Sequence, residues 1–172
     1  RPDLALASAW NRQQFAEQST LARLLDGLTD TQIEQLRQGS QSLFRAHAQT
    51  TKHDFQRAPL LLDIDPTYIP ASRHAQGSEK CYAVGKKNQY GRQWNRISAP
   101  IYHETLCSFL YPGSTQGCDM LKGSVQAVEE LLGYPKAQRK RIIVRSDASI
   151  GTDANINWLL WSGYEVLMKG FS

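Results

Sequence analysis

The sequence predicts an α/β fold, a mixed sheet flanked by helices, with a helical segment in front of it. Three observations predict it. Apolar residues recur at helical spacing through the first 56 positions. A leucine-rich run at 60–65 has the length of a buried strand and is too short for a helix. Beyond residue 118 the pattern alternates helix, strand, helix, strand, which implies a sheet that is at least partly parallel. The boundary falls between a helical segment at 1–57 and an α/β domain at 58–172. A chain of 172 residues, 41% hydrophobic and 21% charged, is long enough to enclose one sizeable core.

Residues 3–56 read as helical. Ser19-Thr20 offers an N-cap for a stretch carrying Leu21, Leu24, Leu25 and Leu28, with Gly27 near its end. Thr29-Asp30-Thr31-Gln32 matches a capping box and opens a second helix with Ile33 and Leu36, expected to close around Gly39. A third stretch places Leu43, Phe44 and Ala48 on one face. Two short helices joined by about two residues fit a helix-turn-helix, and fit better a plain helical cover over one side of a core.

Leu60-Leu61-Leu62-Asp63-Ile64-Asp65 is the first strand, expected to end at Pro66, which cannot donate to a ladder. Residues 80–111 are rich in aromatic and β-branched side chains between Gly85, Gly91 and the Pro112-Gly113-Ser114 turn, which suggests two further strands. Leu121, Val125, Val128, Leu131 and Leu132 make one face of a helix over 118–133, stopped by Gly133-Tyr134-Pro135. Ile142-Ile143-Val144 is the next strand and ends at Arg145-Ser146-Asp147. Gly151-Thr152-Asp153 starts a helix with Ile156, Leu159 and Leu160 facing inward, and Tyr164–Met168 is the last strand.

No apolar run approaches the roughly 18 residues of a membrane span, and no secretory segment opens the chain. Cys81, Cys107 and Cys118, an odd and scattered set, argue for a reducing compartment and against a disulfide framework or a zinc ribbon. The net charge of +4 is a mild hint of affinity for polyanions. It is concentrated between Arg73 and Arg96, where Lys80, Lys86, Lys87, Arg92 and Arg96 interleave with Tyr82, Tyr90 and Trp94. Such a run suits phosphates and unstacked bases, and it equally suits a solvated hairpin edge kept soluble by lysines.

The chemistry is in the aspartates. Asp63 and Asp65 project from one face of their strand, and a second strand ends at Asp147. Carboxylates beside buried strands are normally paired or bound to a cation. If the two strands are neighbours, Asp65 and Asp147 can share a hard cation such as Mg²⁺, with Asp63 as a further ligand. A pair of such ions clamps the attacking and leaving oxygens in phosphoryl transfer. Among the later glutamates, Glu104, Glu129, Glu130 and Glu165 do not sit where a third ligand would be expected. His103 reads as structural, and Asp153 as a helix N-terminal residue.

The ordered set Leu62-Asp63-Ile64-Asp65-Pro66-Thr67, Tyr102-His103-Glu104-Thr105-Leu106 with Tyr111-Pro112-Gly113-Ser114, Arg145-Ser146-Asp147-Ala148 and Gly163–Gly170 resembles bacterial insertion-sequence transposases of the DDE type. The resemblance covers roughly residues 60–170. It implies a ribonuclease H-like catalytic domain at 58–172, incomplete at its C-terminus, with Asp65 and Asp147 as two of three catalytic acids binding Mg²⁺ or Mn²⁺. It implies nicking of double-stranded DNA at transposon ends, transfer into target DNA, a homodimeric synaptic complex, and a cytoplasmic, nucleoid-associated bacterial protein. The third acid of that family is a glutamate on a later helix, expected beyond Ser172, so this segment alone is expected to be weakly active or inactive.

Asp63-x-Asp65-x-Thr67 also resembles the DxDxT signature of haloacid dehalogenase-like phosphatases. That family would make Asp63 the nucleophile, Asp65 the general acid/base, and Asp147 with Asp153 the Mg²⁺ ligands. A third reading keeps the basic aromatic run as a DNA-binding surface without catalysis.

Overall fold

The computed structural model describes residues 8, 11, 17–83 and 86–169, with the backbone alone at 82, 83 and 86–88. The expected helix over residues 3–16 therefore lies almost wholly outside the described residues. The chain divides into two compact units, Arg1–Phe44 and Arg45–Ser172.

In the first unit, α1 (Gln18–Asp26) begins two to three residues earlier than an N-cap at Ser19 or Thr20 would place it; its N-cap is the extended Glu17. α2 (Asp30–His47), whose last three residues belong to the second unit, opens with the expected capping box. The Thr29 N–H donates to Gln32 Oε1 at 2.9 Å, and the Gln32 N–H donates to Thr29 Oγ1 at 3.3 Å. The expected break at Gly39 does not occur, and the two expected stretches are one helix of 18 residues. A single internal glycine costs only about 1 kcal/mol against alanine. Flanking contacts cover it: Arg37 and Gln38 both donate to Glu34, and Ser42 donates to the Gln38 carbonyl.

The second unit is built on six strands: β1 (Leu60–Pro70), β2 (Glu79–Ala83), β3 (Lys86–Ala99), β4 (Glu104–Pro112), β5 (Ile142–Ser146) and β6 (Glu165–Met168). Two helices accompany them, α3 (Gly117–Leu132) between β4 and β5, and α4 (Asp153–Ser162) between β5 and β6. β1 pairs antiparallel with β3 on one side and parallel with β5 on the other. β6 adds in parallel to β5. The far edge of β3 takes β2 along its first half and β4 along its second, the change falling between Gly91 and Arg92. With β2 set aside, the order is β4-β3-β1-β5-β6, an antiparallel meander followed by two parallel strands each reached through a helix. This is the ribonuclease H-like arrangement.

Two strand expectations need correction. Residues 79–112 hold three strands, because Lys86-Lys87-Asn88-Gln89 continues β3 as a polar stretch that hides the period-2 pattern. β1 also runs four residues past Pro66, which pairs with Asn95 of β3. Its ladder with β5 has already ended at Ile64, so Pro66 stands on a strand with one free edge, where proline is tolerated.

The core lies on one face of this sheet. Leu60, Leu62 and Ile64 of β1, Ile97 and Ala99 of β3, and Ile142 and Val144 of β5 are fully buried with Met120, Leu121, Val125 and Val128 of α3. Each such aliphatic side chain contributes roughly 1.5–3 kcal/mol. Inside it, Asn95 Nδ2 donates to Ser124 Oγ at 2.7 Å. α3 ends at Gly133, which adopts the left-handed conformation at φ 65°. The Arg45 guanidinium donates to the Glu130 and Leu131 carbonyls there. On α4, Leu159 faces inward as expected, but Leu160 is half exposed and Trp161 is 87% exposed. The inward polar residue is Asn155, whose amide donates to the Cys118 and Ile150 carbonyls.

Candidate metal and nucleic-acid site

Strand alternation puts Asp63, Asp65, Thr67 and Ile69 of β1 on the sheet face opposite the core. The β1–β5 register places the end of β5, and Asp147 after it, beside this part of β1. Pairing runs from Leu60↔Ile142 to Ile64↔Ser146, so the ladder stops one residue short of Asp65 on β1 and of Asp147, the first residue after β5. Register-matched residues on neighbouring strands share a face, with the strands about 4.8 Å apart. Both aspartates are exposed.

The three carboxylates have different surroundings. Asp63 lies opposite Arg145, and the guanidinium grips it through both oxygens at 2.8 and 2.7 Å. Arg145 beside Asp63 holds its carboxyl below the usual carboxylate range, against a smaller opposing effect of burial. Asp65 lies opposite Arg96 of β3, and the charged groups stand 3.7 Å apart. Asp147 accepts from the Ser149 N–H at 3.0 Å and from Ser149 Oγ at 2.6 Å, both through one oxygen. Among the described residues, its second oxygen accepts no hydrogen bond. The loop holding it is tight: a Cβ on Gly117 would come within 2.6 Å of Ser149 Oγ.

The remaining acids have structural partners. Glu104 accepts from the Gln49 and Thr50 N–H groups and from Thr50 Oγ1, at 2.7, 3.0 and 2.6 Å. Burial acts against ionising Glu104, and these hydrogen bonds outweigh it, so its pKa is lowered. Glu129 accepts from Arg139 at 2.6 Å and from the Tyr164 hydroxyl, with Tyr134 3.1 Å from Tyr164. Burial pushes Tyr134 up to about 12. Asp153 lies in the first turn of α4, where Thr152 provides the cap. His103 sits in the left-handed region at φ 55°, between a turn and β4. Among the described residues, no three histidine, cysteine or acidic side chains converge on one point.

Two carboxylates at one strand level fit a small hard cation, because Mg²⁺ is commonly held by one or two carboxylates with waters and substrate phosphates completing its shell. Asp65 and Asp147 are the residues that could hold one, each being exposed and without a close guanidinium on both oxygens. Asp63 shares their face, but Arg145 already uses both of its oxygens.

Of the basic run, Arg92, Trp94 and Arg96 lie on this same face of β3, opposite Ile69, Thr67 and Asp65 respectively. Lys80 is exposed on β2, opposite Tyr90. The side chains of Lys86, Lys87 and Tyr82 lie outside the described residues. Sequence reasoning missed Arg145 and Arg96 as partners of the aspartates. Their signal was present, a basic residue at matching parity on each neighbouring strand, but only the register decodes it.

No family model matches this sequence and no curated protein matches it. Solved structures similar to the chain include a piggyBac transposase synaptic complex with hairpin DNA, 15% identical over 64% of this chain and 22% of that one, with a TM-score of 0.43. A pre-cleavage Mos1 transpososome is 14% identical over 99% of this chain and 55% of that one, also at 0.43. A Mos1 mariner paired end complex with Mn is 16% identical over 100% of this chain and 56% of that one, at 0.41. The chain thus spans about a fifth to about half of the length of these proteins.

Proposed function

We propose that this chain is part of a DNA transposase, carrying two acids of a metal-dependent site that cuts DNA and joins the freed end to a target. The observation that carries the reading is the parallel pairing of β1 with β5 in a ribonuclease H-like sheet, which ends one residue before Asp65 on one strand and one residue before Asp147 on the other. Mg²⁺ or Mn²⁺ held by them would supply Lewis acidity at a scissile phosphodiester. Asp63 belongs outside the metal set: paired with Arg145, it stiffens the strand one turn of the pleat before Asp65. Arg96 and Arg92 offer positive charge to the DNA backbone beside the acids, and Lys80 adds to it further out. A homodimer at paired DNA ends completes the proposal.

The pairing of Asp63 with Arg145 counts against the phosphatase reading, which needs Asp63 free as a nucleophile. The antiparallel meander after β1 counts against it too.

Manganese binding tests the site directly, read as enhanced water-proton relaxation. Saturable binding is expected, weakened at least ~100-fold by Asp65→Asn and by Asp147→Asn. Mg²⁺-dependent nicking of duplex DNA by the full-length protein should disappear with the same substitutions. Nicking that survives both changes sinks the assignment. Metal-independent DNA binding with no cleavage in any variant would favour the purely DNA-binding reading.

A further inference from the structure

The loop after β5 holds Asp147 by one oxygen only. The Ser149 N–H, at 3.0 Å, and the Ser149 hydroxyl, at 2.6 Å, both donate to Asp147 Oδ1. A carboxylate oxygen has two lone pairs, so these two donors fill it. Ser149 is itself fixed from behind. Gly117, the first residue of α3, lies so close that a Cβ there would meet the Ser149 carbonyl at 3.1 Å and the Ser149 Cβ at 3.2 Å. Beside it the Asn155 amide, on a residue only 5% exposed, donates to the Cys118 carbonyl at 2.8 Å and to the Ile150 carbonyl at 2.9 Å. One buried side chain of α4 thus ties the first turn of α3 to the residue after Ser149. On the other side of the loop, a Cβ on Gly151 would run into the Lys169 carbonyl just past β6. The loop is pinned against α3, α4 and the end of β6.

We infer that Ser149 is a metal-selecting positioning residue: by occupying Asp147 Oδ1 it makes this aspartate a one-oxygen ligand, which favours Mg²⁺ or Mn²⁺ over Ca²⁺. The inference rests on the proposed binding of a divalent cation by Asp65 and Asp147. Coordination chemistry separates the ions. Ca²⁺ collects about six to eight oxygens in a flexible shell, and a carboxylate giving both of its oxygens helps to fill it. Mg²⁺ demands a near-ideal octahedron and keeps several waters, and Mn²⁺ takes the same six oxygens. For either, one well-aimed carboxylate oxygen suffices. A two-oxygen grip on Ca²⁺ requires Oδ1 to give up a Ser149 donor, and the pinned loop leaves that donor no easy way to turn aside. Ser149 does not touch the cation; it acts through Asp147.

The test uses the full-length protein, with Mn²⁺ binding read by water-proton relaxation and Ca²⁺ binding by displacement of Mn²⁺. Ser149→Ala removes the hydroxyl donor at an exposed position, so the circular dichroism should stay native. Its Mn²⁺ affinity should fall about 10-fold to 100-fold, as on loss of an outer hydrogen bond to a ligand. Its Ca²⁺ affinity should hold or rise, so the preference for Mn²⁺ over Ca²⁺ drops about 10-fold or more. Ser149→Thr keeps a hydroxyl and should keep most of the wild-type preference. A loop that is merely structural would weaken both ions alike. An unchanged preference in Ser149→Ala, whether both affinities fall or neither does, therefore overturns the inference, as does a preference lost equally in Ser149→Thr. The reading beneath it fails separately. Mn²⁺ binding abolished by Asp65→Asn and Asp147→Asn, with an unchanged preference in Ser149→Ala, keeps the metal site and removes the role of Ser149. Wild-type protein that binds no Mn²⁺, or binds it regardless of both aspartates, removes the metal site and Ser149's role with it.

Discussion

Asp63 and Asp65 stand two residues apart on one strand face, and their partners differ. Arg145 takes both oxygens of Asp63, whereas Arg96 stands off from Asp65 at 3.7 Å. Because the Asp63 carboxyl is held below its ordinary value, its contribution to stability is fully present above the unfolded pKa, about 3.9, and is lost as pH falls through the lower folded value. The urea midpoint should therefore drop on acidification below about pH 4, and less steeply in Asp63→Asn. With Arg145 43% exposed, the difference at pH 7 belongs in the range of exposed pairs, about 0.2–1 kcal/mol. Identical pH profiles for the two proteins would show that the pair contributes nothing. The aspartates were legible because acids at the ends of apolar strands are conspicuous. Arg145 was not, since its partner lies 82 residues away and only the β1–β5 register connects them.

At the level of elements, the junction of β2, β3 and β4 depends on the absence of side chains. Gly113 passes so close to the β2 and β3 backbones that a Cβ would meet the Glu79 carbonyl at 2.6 Å and the Gly91 carbonyl closer still. Ser114 next to it binds the Glu79 carboxylate through both N–H and Oγ. Gly113→Ala should cost about 1–3 kcal/mol, as overpacking against backbone does, measured as a lower urea midpoint. An unchanged midpoint would mean that the hairpin moves freely. The helices α3 and α4 and the strands β5 and β6 were readable from local signals, because each has a regular apolar face or a glycine stop. Gly39 and Pro66 misled for the same physical reason. Both are residues with a modest local penalty, and their surroundings, helical side-chain contacts in one case and a free strand edge in the other, outweigh it.

At the scale of the molecule, the sheet order was only partly legible. Alternating helices and strands imply parallel pairing after residue 118, but nothing local says that β1 lies between β3 and β5. That central position is what makes the site. An alanine inserted between Ser146 and Asp147 should turn the Asp147 carboxylate off the ladder and abolish manganese binding, while the pairing of β1 with β5 and the native circular dichroism persist. Manganese binding equal to wild type would mean that the loop, rather than the register, aims the carboxylate. The same register has a consequence during synthesis. Asp65 and Asp147 are as far apart in sequence as the 82 residues that separate Asp63 from Arg145, so the acid pair does not exist on a nascent chain until β5 has emerged. At ribosomal rates of about 5–20 residues per second, that delay is roughly 4–16 s. Through that interval the growing polypeptide has its basic hairpin and only one of the two aspartates.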